Sequence, residues 1–117
     1  FREPVAGDRR AGLYETRGLL ALARAWATRP EVLFLDEPTA NLDPQGAHAV
    51  ERMVAEIKSR GTKIVVTTHD LGQAKRLADE VLFLHRGRLV EQSPAATFFD
   101  RPQSAQAQAF LAGDLVL

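Results

Sequence analysis

The chain has 117 residues, 45% hydrophobic and 26% charged, enough for one small domain or part of a larger one. Fifteen basic and fifteen acidic residues cancel, so charge gives no argument for nucleic acid or an anionic membrane surface as a partner. The absence of cysteine excludes disulfides and cysteine-metal sites and suits a cytosolic protein, and no apolar run approaches the ~20 residues that span a bilayer.

Residues 1–12 hold Pro4, Gly7, Gly12 and the charged run Asp8-Arg9-Arg10, without an apolar period, and read as loop or frayed end. Phe1-Arg2-Glu3-Pro4 is not a signal peptide and lacks a starting Met, so a fragment is expected. From about Glu15, the residues Leu19, Leu20, Leu22, Ala23, Trp26 and Ala27 recur at helical spacing, with Leu20, Leu22 and Trp26 as core. Pro30 ends that helix near Thr28. Val32-Leu33-Phe34-Leu35-Asp36-Glu37-Pro38 follows, a continuous apolar run that ends on two acids and a breaker. Residues 31–36 therefore predict a strand buried on both faces.

Asp43-Pro44 is a strong helix start, because Asp accepts from exposed backbone N–H groups and Pro loses no needed donor at the first position. Val50, Met53, Val54 and Ile57 form one stripe, with Glu51, Arg52, Glu56 and Lys58 outside it, and Gly61 closes the helix. Residues 62–68 are β-branched and apolar, a second strand. Strand, helix, strand makes a βαβ unit with parallel strands. Asp70 caps another helix, with Leu71, Ala74, Leu77 and Ala78 on one face. Residues 81–85 and 89–91 form an antiparallel hairpin about Arg86-Gly87-Arg88. Short helices are expected from Ser93-Pro94 to Phe99 and from Ser104 to Ala112.

If the two strands are parallel, Asp36, Glu37 and His69 lie on one rim, at the carboxyl ends where open α/β sheets bind ligands. A carboxylate there can hold Mg²⁺ directly or through water, a second can orient a water for attack on phosphorus, and a histidine can meet charge on a phosphate. Taken singly, each residue also reads as a solvated strand end, and Asp70 as a helix cap only.

The combined string carries more. Leu35-Asp36-Glu37-Pro38-Thr39-Ala40-Asn41-Leu42-Asp43 resembles the Walker B segment and D-loop of ATP-binding-cassette (ABC) ATPases. Residues 64–70 resemble their switch-histidine loop, Ala21-Leu22-Ala23-Arg24-Ala25 the helix after their signature motif, and residues 81–91 their closing hairpin. The resemblance covers residues 19–117. It implies an α/β fold, a partial P-loop NTPase (RecA-like) sheet with βαβ units and a C-terminal antiparallel hairpin. It also implies ATP and Mg²⁺ as cofactors, with Asp36 toward Mg²⁺ mainly through water, Glu37 as general base and His69 on the γ-phosphate. Asp43 would communicate across a dimer of two such domains, although capping a helix is also sufficient reason for it. The implied partners are a second ATPase subunit and a transmembrane permease, at the cytoplasmic face of the membrane, with no nucleic acid.

Two features depart from that pattern. No G-x-x-x-x-G-K-[ST] string occurs in the chain. Where the family carries Leu-Ser-Gly-Gly-Gln, this chain has Gly12-Leu13-Tyr14-Glu15-Thr16-Arg17-Gly18-Leu19. Either the signature has degenerated or residues 1–18 are non-homologous. Three readings follow. The first is the C-terminal part of the ATPase subunit of an importer for oxyanions or other small solutes, tungstate being the first guess, with the isolated chain inactive. The second is a non-catalytic interaction module, and the third is a truncated remnant. DNA-repair and chromosome ATPases share the motif order, but the chain has neither a long heptad region nor a basic bias.

Overall fold

A computed structural model describes residues 6–113, with side chains from Arg17 onward. In chain order these are α1 (Ala6–Ala27), β1 (Val32–Asp36), α2 (Pro44–Ser59), β2 (Lys63–Thr67), α3 (Leu71–Leu77), β3 (Glu80–His85), β4 (Arg88–Pro94), α4 (Ala95–Asp100) and α5 (Ala105–Leu111). The chain divides into two compact units, Phe1–His69 and Asp70–Leu117.

In the first unit β1 and β2 are parallel, in the register Val32↔Lys63 through Asp36↔Thr67, and α2 connects them. This is the predicted βαβ unit. Asp43 caps α2, its carboxylate accepting from Gly46 N–H at 2.7 Å, with Pro44 in the first turn. The helix stops at Gly61, whose φ of +99° suits a residue without a Cβ. The buried side chains of this unit include Leu22, Leu33, Val50, Val54 and Ile57.

Several expectations are corrected here. Residues 6–12 are helical, so α1 begins before Glu15 and passes through the stretch read as loop; residues 1–5 lie outside the described residues. Gly7 and Gly12 lower helix propensity by only about 1 kcal/mol each. Leu20 is 48% exposed rather than core, whereas Leu22 is buried and Trp26 partly so. Glu51, expected outside the stripe of α2, is buried beside Val50 and Val54, because the covered face of the helix is wider than one row. Strand β1 is not buried on both faces. Leu33 is covered, but Phe34 is 74% exposed, and Val32 and Val65 share its open face. Side chains alternate across a strand, so one cover hides only every second residue.

The second unit opens on α3, whose cap Asp70 accepts from Gln73 N–H at 3.0 Å. The buried residue of α3 is Gln73, with Leu71, Ala74, Leu77 and the C-cap Ala78 half-buried beside it. Strands β3 and β4 form the expected antiparallel hairpin, longer than predicted at its far end. Its turn is the pair Arg86-Gly87, both at positive φ, as a two-residue hairpin turn needs. Phe83, Phe98 and Ala107 form the core, with Phe110 and Phe99 packed against it. Ring centroids of Phe83 lie 5.8 Å from Phe98 and 5.3 Å from Phe110.

Glu91 joins this core, although nothing in the pattern of the sequence marked it. It is buried and accepts from Gln103 N–H at 3.0 Å, and from Ser104 N–H and the Ser104 hydroxyl at 2.8 Å each. Burial by itself pushes the carboxyl up. The backbone donors of Gln103 and Ser104, with the hydroxyls of Ser104 and Ser93, outweigh it and hold the group below its ordinary 4.5.

Candidate functional site

The site is built at the end of the parallel pair. After Asp36 the chain turns sharply. Glu37 N–H donates to Thr67 carbonyl oxygen at 2.9 Å, one step beyond the regular ladder. Glu37 carbonyl oxygen then accepts from Ala40 N–H at 3.1 Å, with Pro38 at the first central position of that turn. A second turn joins Thr39 carbonyl oxygen to Leu42 N–H at 3.2 Å, with Asn41 at φ +68°, a conformation that Asn tolerates. The chain then enters α2 through the Asp43 cap.

Glu37 itself has φ +44°. For a residue with a Cβ this left-handed region costs about 1–2 kcal/mol and persists only where the surroundings impose it. Here they do so from three sides: Thr67 holds its N–H, Ala40 its carbonyl, and His69 its side chain. His69 Nε2 lies 2.9 Å from Glu37 Oε1. Both side chains are more than a third exposed, at 71% and 40%, so water screens the pair. Such a contact is worth at most about 1 kcal/mol, less than the strain it helps to hold.

Asp36 lies opposite Thr67 in the ladder, and the Thr67 hydroxyl donates to Asp36 Oδ1. The structure therefore brings Asp36, Glu37 and His69 to one rim and adds Thr67, which sequence reading did not single out. The signal for it was positional: once β1 and β2 are aligned by their acids and histidine, Thr67 faces Asp36. Asp43 stands apart from this group, with its carboxylate engaged at the start of α2. The side chains of Leu13, Tyr14, Glu15 and Thr16 lie outside the described residues; their backbone belongs to α1.

Mg²⁺ keeps several waters and takes one or two carboxylates plus substrate phosphates. Asp36, with one oxygen engaged and the side chain exposed, fits that role. Among the described residues no group of three or more His, Cys, Asp or Glu side chains could form a complete protein cage. The nucleotide cradle is different. With no glycine-rich phosphate loop in these residues, the chain presents a rim of two acids and a histidine without a cradle for nucleotide phosphates.

This α/β fold, a parallel pair with crossover helix followed by an antiparallel hairpin, is that of the ABC ATPases within the P-loop NTPase class. It superposes with TM-score 0.69 on an ATP-binding cassette of an ABC transporter in its ADP conformation, covering 85% of this chain and 39% of that one at 21% identity. Residues 16–72 match the family described as "AAA domain, putative AbiEii toxin, Type IV TA system". The chain is 44% identical over 99 residues to the phosphate import ATP-binding protein PstB of Thermococcus kodakarensis, covering 85% of this chain and 39% of that protein. It is 41% identical over 96 residues to the histidine/lysine/arginine/ornithine transport ATP-binding protein HisP of Escherichia coli, covering 82% of this chain and 37% of that protein. The chain spans between 34% and 43% of the length of the curated relatives it matches.

Proposed function

We propose that this chain is the C-terminal part of the ATPase subunit of an ABC importer for a small solute. The observation that carries the reading is the meeting of Glu37 and His69 beside Asp36, at the carboxyl ends of two adjacent parallel strands. Asp36 would hold Mg²⁺, chiefly through water. The metal, when bound with ATP, neutralises charge on the phosphates. Glu37 accepts the proton of the attacking water, and its exposed carboxylate is open to one. His69 donates from Nε2 toward the γ-phosphate, with Glu37 as its partner at rest. Asp43 both caps α2 and, in a dimer, reaches toward the second subunit.

The partners of this reading are a second ATPase subunit and a permease, with the chain attached to the cytoplasmic face of the membrane through the permease. No helix among the described residues is long and apolar enough to cross a membrane. The narrower form, an oxyanion such as tungstate as cargo, stays a proposal: the relatives include subunits for phosphate import and for histidine/lysine/arginine/ornithine transport alike. The site residues touch nucleotide rather than cargo, so they favour neither. Within this reading, residues 1–18 are the degenerate or non-homologous segment and residues 19–117 the C-terminal part of the ABC ATPase domain.

The test is Glu37→Gln in the polypeptide that carries this chain together with its phosphate loop. Removing a general base lowers turnover by about 100-fold or more, while ATP binding is retained. Turnover within threefold of the parent would overturn the assignment.

The second reading is that these 117 residues, which contain no G-x-x-x-x-G-K-[ST] string, act as a non-catalytic interaction module. Hydrolysis of Mg²⁺-ATP by the isolated chain, abolished in Glu37→Gln, would exclude the module and would also overturn the expectation that the isolated chain is inactive.

A further inference from the structure

Thr67, the last residue of β2, serves both acids of the rim. Its carbonyl takes Glu37 N–H at 2.9 Å, and its hydroxyl donates to Asp36 Oδ1. Register puts it there: Thr67 is the direct partner of Asp36, and directly opposed residues present their side chains on the same face. Asp36 needs such a tether. Its side chain is exposed, and an exposed carboxylate with no partner distributes over staggered rotamers. A carboxylate that must meet a hydrated cation gains when one oxygen is tied and the other is left for the ligand.

We propose that Thr67 is a positioning residue for the metal-facing carboxylate, its hydroxyl holding Asp36 Oδ1 so that the remaining oxygen is presented to a divalent cation. This rests on the reading of Asp36 as the Mg²⁺-facing acid. A small polar side chain at this position is thus part of the site, although it touches neither metal nor phosphate.

The test uses the chain as it stands, with Mn²⁺ as probe and no nucleotide. Thr67→Val keeps the β-branched shape that a strand favours and removes the donor; Thr67→Ser restores the donor. The first readout needs no metal: three-bond couplings give the χ1 rotamer of Asp36. One rotamer is expected in the parent and in Thr67→Ser, and an average in Thr67→Val. The second readout is paramagnetic broadening of the signals of Asp36 during a Mn²⁺ titration. The half-broadening concentration is expected to rise by about 3- to 10-fold in Thr67→Val, at the low end for a partner of a metal ligand because the bond is exposed. Thr67→Ser is expected to stay near the parent. Unchanged couplings and broadening in Thr67→Val would overturn the proposal. If Asp36→Asn leaves the broadening intact, the metal-facing reading falls instead, and the couplings still decide whether Thr67 fixes the carboxylate.

Discussion

Two glutamates show how differently the two units spend a carboxylate. Glu37 stands at the end of a strand, 40% exposed, at a backbone conformation that costs energy, and one histidine meets its side chain. Glu91 lies buried, saturated by backbone and hydroxyl donors from Gln103, Ser104 and Ser93. The second arrangement ties the start of α5 to β4. The first holds a carboxylate in place while keeping it accessible. A carboxylate that is fully satisfied within the fold is structural; one held by imposed strain, with solvent access, is the better candidate for chemistry.

The comparison can be broken from either side. The largest effect is expected at the core beside Glu91. Phe98 is 2% exposed, and Phe98→Ala is expected to cost about 3–5 kcal/mol of stability, read from urea or thermal unfolding. A loss below 1 kcal/mol would mean that this core is far looser than its ring contacts indicate.

Glu91 itself gives a pH signature. Its folded value lies below the ordinary 4.5, so the native state favours the charged form. The stability it contributes is complete above that ordinary value and is lost as pH falls through the folded one. Unfolding midpoints measured between pH 6 and pH 3 are expected to fall with acid in the parent and to flatten in Glu91→Gln, which starts lower. An equally steep acid loss in the variant would assign the slope to other groups.

The smallest effect sharpens the claim of strain. Glu37→Gly removes the penalty at φ +44° and with it the screened His69 contact. The two nearly offset, with a net gain of up to about 1 kcal/mol. A loss greater than 1 kcal/mol would show that Glu37 stabilises the fold, and its likeness to Glu91 would then outweigh the contrast.

Much of this architecture was legible because local chemistry is loud here. Asp43-Pro44 marked the start of α2 through its cap, and residues 62–68 marked β2 through β-branching. The parallel relation of β1 and β2 followed from the crossover helix, and it carried Asp36, Glu37 and His69 to one rim. The errors share a cause. Residues 6–12 read as loop because charges and two glycines hide helical periodicity, although a helix needs only a continuous backbone ladder. The double burial of β1 and the solvent face assigned to Glu51 were inferences about neighbours, and neighbours are not written in a local pattern.

By itself, then, the sequence determined the order of elements, the caps and the rim on which the acids and histidine stand, since these follow from propensity, periodicity and chain direction. Only the tertiary structure decided that Glu37 is held in a left-handed conformation, that His69 meets it at 2.9 Å, that Thr67 tethers Asp36, and that Glu91 is buried among donors. Each of these depends on strand register or on the packing of one element over another, which sum many weak contacts across long sequence separations and leave no short signature in the chain.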